Sequence, residues 1–222
     1  ASTLNGLTEN LKHGCKKMAS SINTLFTELQ TTNMQTQEDK PKKAGRPKKI
    51  VTTETFTEVA RNKWNSEVDV CEFIGSLIKM TGSANVLEIG VFEGETSIKM
   101  IEALPYGGKY TGIDINNYLK HDLSTFGSEV EFILGESIKV MQGMKPRQFD
   151  FIFVDGDHSW ANILPEFKEV ERMIKPGGTI AYHDTIHIPD VKKLMEYAKY
   201  YKYNVITLNT SEGRGLSLIQ KP

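Results

Sequence analysis

The chain has 222 residues, 39% of them hydrophobic and 25% charged, enough to bury one substantial core. Its longest apolar runs, such as Phe149 to Val154, are far too short to cross a bilayer, and residues 1–10 lack the basic start and apolar stretch of a secretion signal. Two cysteines, Cys15 and Cys71, form neither a CxxC pair nor a metal-type spacing, so a disulfide scaffold is excluded and a reducing, cytoplasmic setting is expected.

The net charge of -1 hides a polarity along the chain. Residues 1–50 hold nine Lys/Arg against four Asp/Glu, a balance of +5, whereas residues 51–222 hold eighteen against twenty-four, a balance of -6. Three segments follow: an arm (1–30), a linker (31–50) and a globular domain (51–222). In the arm, Leu4, Leu7, Leu11, Cys15, Met18, Ile22, Leu25 and Leu29 recur at steps of three and four, which puts them on one stripe of an amphipathic helix. That stripe has to be buried in a self-association seam, on a protein partner, or on the chain's own globular domain. In the linker, Lys40 to Lys49 carries six cations and no acid around Gly45-Arg46-Pro47. This core resembles an AT-hook, an extended segment that lays arginine into the minor groove, and implies contact with nucleic acid. The same composition also serves a solvated tether.

From residue 51 the pattern turns globular. Glu58 to Met80 reads as a helix ended by Gly82. Asn85 to Ile89 reads as a strand, followed by a turn with Gly90 and Gly94 and a helix from Thr96 to Leu104. Glycine there lets the backbone pass close under a ligand, and the next helix start presents free N–H groups. A second strand, Lys109 to Ile115, carries Asp114 near its end, where a carboxylate would hold a ribose diol. A third strand begins at Glu131, with Glu136 and Ser137 at its tip suited to an adenine edge. A fourth, Gln148 to Val154, is apolar on both faces, as central parallel strands are. A fifth runs from Gly177 to Asp184, and Tyr203 to Leu208 and Gly215 to Ile219 close the domain as a strand pair. Helices fill Ile163–Ile174 and Val191–Tyr201. The alternation predicts an α/β fold: a doubly wound, mostly parallel seven-stranded sheet whose ligands sit at the strand C-terminal ends.

Glu88-Ile89-Gly90-Val91-Phe92-Glu93-Gly94 has the acidic-x-Gly-x-x-x-Gly spacing rather than the dinucleotide GxGxxG. With Asp114 one strand later, it resembles the class I S-adenosylmethionine-dependent methyltransferases and their Rossmann-like sheet. Asp155-Gly156-Asp157-His158-Ser159, then Lys175-Pro176-Gly177-Gly178 and His183-Asp184, resemble the O-methyltransferase branch that includes small-molecule and sugar enzymes. The resemblance implies S-adenosylmethionine held by Glu88, Gly90, Gly94, Thr96, Asp114, Glu136, Ser137 and Asp155. It implies transfer to a hydroxyl of a sugar or other small molecule, with His158 as base and Asp155 beside it. In the metal-dependent branch, Asp155, His183 and Asp184 would hold Mg²⁺ or another divalent cation, which lowers a hydroxyl pKa.

Plainer readings stand beside these. Asp155 is also suited to capping the following loop, His158-Ser159 to capping the next helix, and His183-Asp184 to pairing two loops. Trp160, Phe92 and Tyr182 read as packing, Glu93 and Glu95 as solvated loop carboxylates, and Trp64 to Glu67 as a lid or as ordinary helix. A second class of function is a methyltransferase fold tethered by its arm to nucleic acid or an assembly, with catalysis secondary. Methylation of nucleic acid itself is disfavoured, because no Asn/Asp-Pro-Pro-Tyr motif occurs.

Overall fold

The computed structural model describes residues 65–127 and 129–220, all within the unit Glu54–Pro222. The apolar stripe from Leu4 to Leu29 and the basic tract 40–49 lie outside the described residues. Helix α1 (Val68–Thr81) precedes β1 (Asn85–Ile89), α2 (Glu95–Ala103), β2 (Lys109–Asp114) and β3 (Glu129–Leu134). Then follow α3 (Ser137–Gln142), β4 (Phe149–Val154), α4 (Trp160–Met173), β5 (Ile174–His183), α5 (Pro189–Tyr200), β6 (Asn204–Leu208) and β7 (Leu216–Gln220). No helix among the described residues is long and apolar enough to cross a membrane.

The seven strands form one sheet in the order β3-β2-β1-β4-β5-β7-β6. All pairs from β3 to β5 are parallel, while β7 runs antiparallel to both β5 and β6. The expected mostly parallel, doubly wound sheet is therefore observed. Its centre is β4, whose Phe151, Ile152, Phe153 and Val154 are all buried because helices cover both faces. The chain winds outward in one direction through β2 and β3 and in the other through β4 and β5. The switch point lies between β1 and β4, where open α/β sheets leave a crevice.

Three local differences from the sequence expectation have physical causes. Helix α1 begins at Val68, so Asn65, Ser66 and Glu67 are not its helical residues. Glu67 is extended (φ -62°, ψ 148°), which frees its side chain to turn toward the sheet. Strand β5 starts at Ile174 and carries Pro176 and Gly177 inside it; Arg147 and Gln148 donate to Arg172 and Met173 just before it. Finally, Ser137 opens the short helix α3 rather than ending β3, with Glu136 at its N-cap.

Candidate active site

The strand register assembles the site. Ile113, Ile89, Val154 and Tyr182 lie side by side across β2, β1, β4 and β5. The next residue on each strand is Asp114, Gly90, Asp155 and His183, so these four form one row along the C-terminal edge. Backbone bonds continue the ladders into this row, from Gly90 N–H to Ile113 (2.9 Å) and from Asp155 N–H to Ile89 (2.8 Å). Gly90 must be glycine here. Its φ is +85°, and an added Cβ would lie 2.2 Å from the Asp155 carbonyl oxygen.

Above the row lies a cleft of about 1010 Å³, lined among others by Gly90, Phe92, Asp114, Ile115, Glu136, Ser137, Asp155, His158, Asp184 and Arg214. Its volume sits at the upper end of the roughly 300–1,000 Å³ common for small-molecule sites. Of the residues expected to hold the cofactor, Gly90, Asp114, Glu136, Ser137 and Asp155 line this cleft. Glu88, Gly94 and Thr96 lie behind it. Glu88 is buried and accepts from the hydroxyls of Ser97 (2.5 Å) and Tyr110. Burial pushes its pKa up to about 8, despite the opposing pull of those two donors. Thr96 contacts the Cys71 thiol at 3.3 Å, and Gly94 (φ 90°) is the N-cap of α2.

Asp114 ties the glycine turn down. Its Oδ2 accepts from the N–H groups of Val91 (2.9 Å) and Phe92 (2.8 Å), and its Oδ1 accepts from Asn116 (3.0 Å). Phe92 is forced to φ 48°, costly for a bulky residue, and its ring borders the cleft 5.6 Å from that of Tyr118. Trp160 packs against the core under the Lys193 ammonium, and Tyr182 is buried, as a packing role requires. Glu93, however, is not a solvated loop carboxylate. It is 5% exposed and accepts from Asn65 (2.9 Å) while pairing with Lys120 (2.5 Å).

The polar cluster at the tips of β4 and β5 is denser than the motifs alone indicate. His158 sits between two carboxylates, with Nε2 3.6 Å from Asp155 Oδ1 and Nδ1 3.6 Å from Asp184 Oδ2. Its Nε2 is buried without a hydrogen-bond partner. Asp157 instead accepts from the Ser159 N–H (2.8 Å) and from the Asn162 amide, and so turns the chain into α4. His183 is fully buried. Its Nε2 lies 2.5 Å from Glu67 Oε2, and its Nδ1 lies 3.0 Å from Asp155 Oδ2, an ion-pair contact whose angle falls short of a hydrogen bond. Burial alone would lower the pKa of this ring. The Asp155 and Asp184 charges overcome that and raise it to about 9, so both nitrogens carry protons near neutral pH. Asp155 is likewise held well below the usual carboxylate range despite its burial, by the His183 charge and by contacts with His158, His183 and Ser66.

Ser66 and Glu67, from the segment whose sequence suits a lid or ordinary helix, complete the site together with Thr210, Arg214 and Glu166, which no sequence feature singles out. Ser66 Oγ donates to Asp155 Oδ2 at 2.7 Å, and Thr210 Oγ1 donates to Glu67 Oε1 at 2.7 Å. Arg214 donates from Nε to Asp184 Oδ1 (2.8 Å), from Nη2 to Asp184 Oδ2 (3.1 Å) and from Nη1 to the Asn65 carbonyl (2.7 Å). Asp184, the residue receiving this fork, has a left-handed backbone (φ 59°) at the end of β5. Glu166, on α4, accepts from Ser137 Oγ at 2.5 Å, and its Oε2 is buried without a partner at the cleft wall. Burial raises its pKa to about 7. No motif marks these residues; the segment Asn65 to Glu67 and the β6–β7 turn reach the site only through the fold.

A family model described as O-methyltransferase matches residues 44–212. Caffeoyl-CoA O-methyltransferase 2 of Petunia hybrida is 32% identical over 169 residues, covering 68% of this chain and 69% of the relative. An O-methyltransferase from Bacillus cereus solved in complex with SAH superimposes with a TM-score of 0.63 at 19% identity, over 74% of this chain and 87% of that one. The O-methyltransferase of tomaymycin synthesis from Streptomyces achromogenes, solved with SAM, gives a TM-score of 0.59 at 17% identity, over 77% and 92%. The matched segment contains the whole row from Gly90 to His183 and all the cleft-lining residues except Arg214, and the chain belongs to the O-methyltransferase family of class I S-adenosylmethionine-dependent enzymes.

Proposed function

We propose that the chain methylates a hydroxyl of a small molecule, with His158 as the base. The observation that carries this reading is the His158 ring, which borders the cleft with one nitrogen buried and unpartnered and a carboxylate facing each nitrogen. A hydroxyl oxygen must lose its proton as it bonds to the methyl carbon, and a positioned histidine is suited to take it. The Asp155 and Asp184 charges then stabilise the imidazolium that forms. Bound S-adenosylmethionine supplies the electrophilic methyl group. Gly90 opens room for it beside the Asp155 backbone, Asp114 offers acceptors at the ribose position, and Glu136 and Ser137 flank the adenine position. The acceptors to try first are sugars and, from the name of the petunia relative, caffeoyl-CoA.

A divalent cation held by Asp155, His183 and Asp184 does not fit these residues. A ligating imidazole needs a bare nitrogen aimed at the ion, and both His183 nitrogens face carboxylate oxygens instead. Both oxygens of Asp184 accept from a guanidinium. Among the described residues, Asp155, His158 and Asp184 do bring one possible ligand atom each within 4.8 Å of the others. An ion there would still share Asp184 with Arg214, and like unit charges 4 Å apart repel by about 4 kcal/mol at an effective dielectric of 20. No step is therefore assigned to a metal.

The test is label transfer from S-adenosylmethionine to a panel of sugars and caffeoyl-CoA, for the unaltered chain and for His158→Gln. The variant should bind cofactor normally and lose about 10²–10⁴-fold in transfer. Full transfer by His158→Gln would overturn the assignment. The apolar stripe of residues 4–29 supports a second proposal, that the arm mediates self-association or partner docking. The cations of 40–49 support weak nucleic-acid contact.

A further inference from the structure

The geometry points to Arg214 as the built-in cation of this active site, so that methyl transfer by this chain needs no divalent metal. This inference rests on the methyl-transfer reading above.

Three features support it. First, Arg214 is locked in place. Its planar fork meets both oxygens of Asp184 at 2.8 and 3.1 Å, and its third arm is fixed on the Asn65 carbonyl at 2.7 Å. A guanidinium matched to a carboxylate in this way is a rigid, permanently charged group. Second, Arg214 faces the cleft. A guanidinium carries five N–H groups, and three of Arg214's are spent on these acceptors. Among the described residues the remaining two, one on each Nη, make no hydrogen bond, although Nη1 also lies 3.9 Å from Glu67 Oε2. They are free to donate to the acceptor oxygen or to a neighbouring anionic group of the substrate. Third, the remaining oxygens of the cluster apart from Asp155 Oδ1 are already met by donors. Ser66 and His183 face Asp155 Oδ2, and Thr210 and His183 face the two oxygens of Glu67. Glu67, Asp155 Oδ2 and Asp184 are thus met by cationic and hydroxyl donors of this same chain, and an ion placed between Asp155 Oδ1, His158 and Asp184 would have to share Asp184 with the Arg214 fork.

A cation beside the attacking oxygen lowers the energy of its deprotonated form whether it is a metal or a guanidinium. Arg214 performs the service in place, with no ion to load. As written, the step balances: the acceptor hydroxyl gives its proton to His158, its oxygen bonds the methyl carbon, and the C–S bond electrons stay on sulfur.

The experiment is Mn²⁺ binding to the full chain with S-adenosylmethionine present, followed by the spin-resonance signal of free Mn²⁺, for the unaltered protein and Arg214→Met. Removing the guanidinium frees both Asp184 oxygens, so the variant should bind Mn²⁺ tighter, by about tenfold or more. Binding to Arg214→Met that is no tighter than to the unaltered chain overturns the proposal. This arm needs no substrate and stands even if the methyl-transfer reading fails. Where an acceptor is found, transfer by the unaltered chain should be equal in EDTA and in Mg²⁺, and a loss in EDTA restored by Mg²⁺ overturns the proposal. If Arg214→Met does not fold, the EDTA comparison and Arg214→Lys take its place. Lysine keeps the charge but not the fork, so it should lower transfer while leaving cofactor affinity unchanged.

Discussion

Arg214 and Asp184, 30 residues apart in sequence and both lining the cleft, are joined by two hydrogen bonds of 2.8 and 3.1 Å. The pair ties the β6–β7 turn to the end of β5, and through the Asn65 carbonyl it also ties in the segment before α1. One side chain thereby connects three parts of the chain around His158. Removing it leaves the Asp184 carboxylate, on a left-handed backbone at φ 59°, buried without its guanidinium partner. Breaking one side of a buried pair costs about 3–5 kcal/mol. Arg214→Ala should therefore lower the melting temperature by many degrees, whereas exposed Lys139→Ala, which ends only a surface pair with Glu136, should shift it little. Thermal unfolding of both variants checks the contrast.

Asp114→Ala removes the acceptor at the ribose position and also releases the Val91 and Phe92 N–H groups that hold the glycine turn. Cofactor affinity should fall by about 1–3 kcal/mol, read by calorimetry. Asp114→Asn keeps an acceptor oxygen for the turn while losing the charge, so it should retain more affinity than alanine. Equal, undiminished affinity in both variants would remove Asp114 from the cofactor site.

Gly90→Ala tests the close approach at the sheet's switch point. The new methyl would meet the Asp155 carbonyl at 2.2 Å, and alanine disfavours φ +85°. The tips of β1 and β4 would have to separate, which displaces Asp155 from His183 and His158. Cofactor binding should be lost or reduced by at least tenfold, with a lower melting temperature. Gly107→Ala, at φ 76° but with nothing within 4 Å of the new Cβ, carries the backbone strain without the clash and serves as the comparison.

These sites also show what the sequence could and could not reveal. Gly90, Asp114 and Asp155 were legible because each follows an apolar strand, and parallel strands in register bring their ends together. The sheet was legible for the same reason. Glu88 belongs to the same motif, but its position inside β1 points it into the core toward Ser97 and Tyr110 rather than toward the cleft. The apolar spacing runs on across Asn65 to Glu67, so nothing local marks the start of α1 at Val68. That spacing carries no sign of Glu67 turning toward His183, 116 residues away. Arg214 was invisible for a related reason: an arginine in a Gly-Arg-Gly turn gives no local signal, and its role exists only once β7 pairs with β5. Glu93 reads as solvated from the sequence because partners such as Asn65 and Lys120 come from other loops.

Glu88 sets a pH dependence of stability. Burial raises its folded-state pKa to about 8, above the 4.5 of an ordinary glutamate. Between these values the folded chain holds a proton that the unfolded chain has released. Stability contributed by this group therefore falls as pH rises from about 4.5 to 8, and the cost is constant above that. Glu88→Gln keeps an acceptor for Ser97 and Tyr110 without the ionisation. Relative to the unaltered chain it should gain melting temperature progressively across that window, by about 2–4 °C for each kcal/mol relieved. A difference between the two that does not change with pH would show that Glu88 ionises as readily in the fold as outside it.

The arm yields the last prediction, and its two halves can fail separately. The residues from Leu4 to Leu29 are spaced as one apolar face of a helix, and in that conformation such a face has to be covered. Residues 40–49 carry six cations and no acid, whereas residues 51–222 are acidic by six charges, so attraction to a polyanion is expected to come from this tract. If four to six phosphates are neutralised, the logarithm of DNA affinity should fall with the logarithm of salt at a slope of about -4 to -5. Replacing Lys42, Lys43, Arg46 and Lys48 by Gln in the full chain should flatten that slope toward zero and leave cofactor binding unchanged. Replacing Leu11, Ile22 and Leu25 by Ser should reduce the particle mass in light scattering if the stripe joins copies of the chain. An unchanged mass rules out self-association and leaves the stripe to another partner or to the chain's own surface. Equal DNA retention by the glutamine variant and the unaltered chain makes 40–49 a solvated tether.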